Sequence, residues 1–427
     1  MFEDNYVAFS TIINFLDVLM AIISEFRGLR PKKEFVSQVA VLPYDVVSLD
    51  EARKIAMNNK MCFFHVTRPE IDFPNDVDTQ DQAVFQHGKN YLAGMIKDKI
   101  LVQDDSPFLY LYTQIMNGRE QTGLIACVSI DDYRNKIIKK HELTREDKET
   151  ERTRHTDIVN ANSGQVFLIY HDSKSKKELI QKAMQIPPEY DFESEDGVRQ
   201  TVRVIRDKKL IESFKNEFRN DVLYIADGHH RAAAAVRVGV QRRKENPGFT
   251  GDEEFNRFMA VIFPHSQLKI LAYNRIVRDL NGMTRDEFID KVSEKYKVEN
   301  TDRMMPDSIH SVCMYLEASW YLLHPKSEPG NDPVNGLDVK LLQDLVLVPI
   351  LGINDPRTDK RIDFIGGLNS VAELQKRVDS GSHKVAFSMF PTTIEQLMRV
   401  SDADGIMPPK STWFEPKLRS GIVVHLL

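Results

Sequence analysis

Cysteine is scarce in this 427-residue chain: Cys62, Cys127 and Cys313 stand far apart, each inside an apolar run. With no CxxC pair and an odd count, neither a disulfide framework nor a cysteine-ligated metal site is indicated, and the expectation is buried thiols in a reducing, cytoplasmic setting. An excess of positive charge is also missing. The 57 lysines and arginines face 63 acidic residues, a formal net charge of -6, which disfavours a partner such as duplex DNA held through a broad basic surface. No helix-turn-helix is recognisable either. The only long apolar stretch, residues 6–23, has no basic region before it, follows Glu3 and Asp4 and carries Asp17 near its middle. It makes a poor signal peptide and a poor membrane span, so no membrane association is expected. Met20 looks like a natural start, and residues 1–19 read as a non-native or frayed extension. Neither a GxxxxGK[ST] segment nor a kinase glycine-rich loop occurs, which speaks against P-loop and protein-kinase mechanisms.

What is present is ordinary globular material, 42% hydrophobic and 28% charged, long enough for two or three domains. Strand-like and helix-like segments alternate irregularly, and the expected class is α/β (α+β), with mixed sheets and flanking helices. Ser48 with Glu51 is a capping box that opens a helix, which places Asp45 in the loop before it. Two readings of Asp45 stand, a working carboxylate and a turn cap. Cys62–Glu70 reads as a strand ended by Pro69. Leu109–Ile115 and Thr122–Ile130 form a hairpin through Asn117-Gly118, with apolar runs continuous enough for a sheet covered on both faces. From Ile138 to His155 polar residues dominate without an apolar period, and a solvated helix laced with charge pairs is expected. His141-Glu142 and Thr144 stand in the turn before it. Function and charge pairing weigh equally there, but zinc is disfavoured because position 145, where a second histidine would complete HExxH, is arginine. No motif specifies a metal-ligand set or an oligomeric state.

The strongest local feature is Leu223-Tyr-Ile-Ala-Asp-Gly-His-His-Arg231, followed by four alanines. It reads as strand, tight turn and helix start, with Asp227 as N-cap and Gly228 supplying the backbone freedom. Open backbone N–H groups, the positive helix end, His229, His230 and Arg231 together favour an anion, phosphate above all. Near the C-terminus, Lys410, Ser411 and Thr412 offer ligand donors, although a proline-stiffened tail pinned by Trp413 and Phe414 is the simpler reading.

Several stretches in this order resemble one family. Phe26-Arg-Gly-Leu-Arg-Pro, Leu42-Pro-Tyr-Asp-Val, His141-Glu-Leu-Thr with Lys148, Glu149 and Arg152, the Asp227–Arg231 turn, and Met407-Pro-Pro-Lys-Ser-Thr-Trp-Phe are similar to the domain of unknown function 1015 family. The turn itself resembles the phosphate-binding turn of the ParB and sulfiredoxin superfamily, which includes free-serine kinases that use ADP or ATP. The resemblance implies a ParB/sulfiredoxin-like domain over residues 20–245 and a second α/β domain over 250–427. It further implies a nucleotide-dependent small-molecule kinase with Mg2+ and ATP or ADP as cofactors, acting on a hydroxyl such as that of free serine. In that reading Gly228, His229, His230 and Arg231 bind phosphate, with His141 and Thr144 beside them. Asp45, Glu142 and Asp227 are bases or magnesium ligands, and Lys148 and Arg152 clamp charge. The alternatives are a non-enzymatic nucleotide or nucleic-acid binder, and a phosphohydrolase or nuclease using the same anion site.

Overall fold

The Asn117-Gly118 signal marks the hairpin from which the larger sheet is built. Leu109–Met116 and Arg119–Ser129 pair antiparallel, and both turn residues take positive φ, 51° and 76°, as a tight hairpin turn requires. A computed structural model describes residues 21–427, so the expected extension at residues 1–19 lies outside the described residues. The sheet has nine strands. Its main path runs Ile138–Lys139, Leu223–Asp227, Val166–Tyr170, Arg257–Pro264, Arg119–Ser129, Leu109–Met116, Arg199–Ile205 and Tyr190–Glu193, and Ile23–Ser24 pairs with Arg119–Ser129 off that path. Two pairings are parallel, Leu223–Asp227 with Ile138–Lys139 and Arg257–Pro264 with Val166–Tyr170, so the sheet is mixed.

Strand periodicity sends alternate side chains into two cores. Leu109, Leu111, Leu124, Ala126 and Val128 pack under the helices Lys174–Met184, Lys208–Phe218 and His229–Glu245. Tyr110, Tyr112, Ile125 and Cys127 face the second core, which continues into the C-terminal half. Burial of both faces explains the near-continuous apolar runs. All three cysteines are buried and free.

A second, six-stranded antiparallel sheet runs Tyr296–Thr301, Ser319–Pro325, Val312–Leu316, Val385–Met389, Tyr273–Val277 and Ile362–Gly366. The expected boundary at 245–250 falls before Arg257–Pro264, a strand inside the larger sheet, and the last residues return to the first half, His425 pairing with Asn162. Among the described residues no helix is long and apolar enough to cross a membrane.

Two local expectations are corrected. Cys62–Glu70 is not a strand: Phe64–Thr67 is helical and Pro69–Asp72 is a 3-10 turn, because Pro69 at a helix start is tolerated and Phe63, Phe64 and Val66 bury on one small core. Nor is the helix Glu146–Val159 a solvated one. It packs against His229–Glu245 and Gln82–Lys97 with Glu151, Arg152, Thr153 and His155 buried. Its polar groups go inside because they find partners there, Glu151 for Arg152 at 2.6 Å and the Val66 carbonyl for His155 at 2.8 Å, so the missing apolar period says nothing about exposure.

The Phe26-Arg-Gly-Leu-Arg-Pro segment is structural. Arg30 donates to both Asp104 oxygens at 2.6 and 2.8 Å and to Tyr190 Oη at 3.0 Å. Gly28 N–H donates to Tyr110 Oη at 2.8 Å, and a Cβ at position 28 would lie 2.4 Å from that oxygen. Gly28→Ala should therefore cost about 1–3 kcal/mol of stability through overpacking. Chemical denaturation checks this, and an unchanged midpoint would contradict the close approach.

His155 predicts a pH effect. Burial, followed by the charge of Arg152, holds its pKa down to about 3, against the bond its Nε2 makes with the Val66 carbonyl. The neutral ring's stabilising effect is present above the ordinary value of 6.5 and is lost as pH falls towards 3. The advantage of wild type over His155→Leu should shrink over that window by up to about 1.4 kcal/mol per unit. Asp132, pushed up to about 6 by burial, works in the opposite sense but cancels in the comparison. A difference constant with pH, measured by urea unfolding, would show that His155 does not titrate in this way.

Candidate active site at the Asp227–Arg231 turn

The strand Leu223–Asp227 ends in the sheet, and the chain turns through Gly228 into the helix His229–Glu245. Gly228 has φ 91°, a conformation that penalises any side chain, and it occupies the N-cap position expected for Asp227. Asp227 stands one residue earlier and accepts the Gly228 N–H at 2.9 Å through Oδ1. No side chain caps the helix, so its first-turn amides stay open at the positive end of the dipole. The buried run Ala232–Ala235 lets this helix lie close on the sheet.

Arg231 folds back over Gly228, whose Cβ, if present, would meet the guanidinium carbon at 3.1 Å. Its Nη1 donates to the Gln165 carbonyl, while Nε and Nη2 are buried without a hydrogen-bond partner. The nearest acids, Asp227 Oδ2 at 3.6 Å and Asp45 Oδ2 at 3.9 Å, are too distant to satisfy them. A guanidinium with two buried, unused edges beside open helix amides has the donors that an anion would need.

Three carboxylates stand at the turn in three environments, Asp227 and Asp45 beside the guanidinium and Glu142 beside His229. Asp227 is also 3.6 Å from Lys417 Nζ; burial works against its ionisation, but Lys417, Arg231 and His229 hold its pKa below the usual carboxylate range. Glu142 is pushed up, first by burial and then by Asp227 and Asp45, against the charge of Lys410. Asp45 is the open one, 40% exposed.

The imidazoles divide as well. His230 Nε2 accepts the Arg145 N–H at 3.1 Å, which leaves Nδ1 as the donating nitrogen of the neutral ring. His141 and His229 stack edge to face at 4.5 Å, and both are buried. Burial lowers the His141 pKa to about 4, and the neighbouring Ile225 backbone opposes this without forming a good hydrogen bond. His229 is likewise held well below its ordinary value.

The remaining residues of interest stand further back. Thr144 donates to Glu149 at 2.5 Å, and Glu149 in turn faces Arg237. Arg152 stacks on the Tyr44 ring at 4.1 Å and pairs with Glu151, which Lys148 also grips at 2.8 Å. Arg152 and Lys148 thus both grip Glu151, and their hydrogen bonds go to Glu151 and the Thr67 carbonyl and not to the turn. A cavity of about 30 Å³ lies between Tyr44, Arg152 and Arg231.

Lys417 belongs to the site although nothing in its local sequence marks it, whereas Tyr44 stands inside the Leu42-Pro-Tyr-Asp-Val stretch. Tyr44 adjoins Asp45 in a loop, and Lys417 follows the aromatic Trp413-Phe414 pair. Ser411 bonds inside its own loop, to the Pro408 carbonyl, and Phe414 is buried, so the tail is pinned as expected. Lys410 nonetheless lies in the field of Glu142 and Asp45.

The sequence matches the family model described as Protein of unknown function (DUF1015) over residues 23–340. The chain belongs to this family. No curated protein matches the DUF1015 chain significantly. Among solved structures it is similar to a free serine kinase in complex with AMP, at 14% identity and TM-score 0.35, over 68% of this chain and 86% of that one. It is also similar to a conserved hypothetical protein from Pyrococcus furiosus, at 12% identity and TM-score 0.35, over 71% and 95%. SbnI with C-terminal truncation from Staphylococcus aureus matches at 9% identity and TM-score 0.40, over 71% and 87%. Likenesses at this level assign no residue roles in the DUF1015 chain.

Proposed function

We propose that the Asp227–Arg231 turn binds the phosphates of ATP or ADP and that the protein transfers a phosphoryl group to the hydroxyl of a small molecule, with free serine the first substrate to test. The carrying observation is the buried, half-unsatisfied guanidinium of Arg231 beside an uncapped helix start. Phosphoryl transfer needs anion donors in fixed positions and a carboxylate for the attacking hydroxyl, more than it needs covalent chemistry from the protein.

The three carboxylates divide these tasks by environment. Asp227, tied to Lys417 and Arg231, orients the guanidinium. Asp45, the exposed acid on the Arg231 side, accepts the hydroxyl proton. Glu142 lies against the two buried imidazoles. Magnesium entering with the nucleotide would spread the phosphate charge, and the carboxylates of Asp45, Asp227 and Glu142 are the oxygen ligands available to it. Serine itself is suggested by the likeness of the turn to that of free-serine kinases.

The test is incubation of purified protein with Mg2+, ATP or ADP, and a panel of amino acids and sugars. Phosphoserine formation is the expected result. No phosphorylated acceptor across the panel would sink the kinase reading, and phosphate release without an acceptor would point to hydrolysis instead.

A further inference from the structure

His141, Glu142 and His229 each offer one ligand atom to a common point, all within 4.8 Å of one another. His229 Nδ1 and Glu142 Oε2 are 3.9 Å apart. His141 is 1% exposed with neither ring nitrogen hydrogen-bonded, and His229, at 5%, leaves Nε2 without a partner. Three orphan imidazole nitrogens on two touching, buried rings are exceptional, since buried polar groups nearly always find partners. A cation held between the rings would take one nitrogen of each, while the Ile225 backbone lies beside His141.

We propose that His141, Glu142 and His229 form a binding site for a divalent transition-metal ion of the zinc class, next to the phosphate turn. Two imidazoles and one carboxylate, with positions left open, are the ligand set of catalytic zinc and related ions, whereas magnesium prefers oxygen ligands. Ligand distances near 2.0–2.2 Å place donor atoms about 3.3 Å apart, so the side chains close by about 0.5–1.5 Å on binding. The HExxH pattern is absent because the second histidine comes from a different element, the first position of the helix His229–Glu245.

The site shares His229 and Glu142 with the proposed nucleotide site but does not rest on phosphoryl transfer, and its test uses no nucleotide. Full-length protein stripped with chelator is dialysed against Zn2+, Mn2+ or Mg2+ separately, and bound metal is counted by mass spectrometry and titrated by calorimetry. One zinc per chain is expected, with a rise in melting temperature that magnesium does not produce. Glu142→Gln, at a partly exposed position, and His229→Gln should each weaken zinc binding by about tenfold or more. Where His229→Gln fails to fold, Glu142→Gln decides alone. Zinc retention no greater than magnesium retention, or affinity unchanged in a folded Glu142→Gln protein, overturns the site. Wild-type protein that binds zinc yet phosphorylates no acceptor would instead count against the kinase reading alone.

Discussion

Arg231→Ala should reduce phosphoryl transfer by about 100- to 1,000-fold and weaken nucleotide binding with it. Among the described residues the guanidinium has one hydrogen-bond acceptor, the Gln165 carbonyl, and two buried edges with none, which leaves donor capacity for a ligand. Removal also leaves the Gln165 carbonyl unpaired and relaxes Asp227, at a stability cost of about 1–3 kcal/mol. Melting curves must therefore accompany the kinetics. Arg231→Lys separates charge from shape: it keeps a cation but loses the planar fork, and should recover only part of the loss. Nucleotide affinity undiminished in a folded Arg231→Ala protein would remove the phosphate site from this turn.

Asp45→Asn is the second large effect and acts on a different step. Asp45 is exposed and 3.9 Å from Arg231, so amide replacement should leave the fold unchanged, within about 0.5 kcal/mol. A general base of this kind contributes about 100- to 10,000-fold, and the loss should fall on kcat while nucleotide affinity holds or rises slightly. Removing a negative charge beside the phosphates relieves repulsion, which gives the sign of the affinity change. Equal losses in kcat and affinity would identify Asp45 as a nucleotide-positioning group. Wild-type turnover in Asp45→Asn would dismiss it as the base.

The turn was legible because its chemistry is local. Gly228 at positive φ, an alanine run that permits close packing, and histidine and arginine at a helix start are adjacent in the chain and carry one meaning together. The capping box at Ser48 and the hairpin at Asn117-Gly118 were legible for the same reason, since each is settled within a few residues. Cys62–Glu70 misled because a short apolar run before proline fits a strand and a buried helical turn equally well. Glu146–Val159 misled because polar residues that pair with each other can be buried without an apolar stripe.

By itself the sequence determined the α/β class, the hairpin at Asn117-Gly118, the family and the strand–turn–helix path through Asp227–Arg231, all carried by short-range backbone preference and motif. Tertiary structure alone decided which distant groups meet there. It brings Asp45 to Arg231, Lys417 to Asp227, and His141-Glu142 to His229, while Lys148 and Arg152 grip Glu151 instead. Such convergence depends on how strands far apart in the chain are ordered in the sheet, and the same burial that assembles these groups sets which of them stay charged.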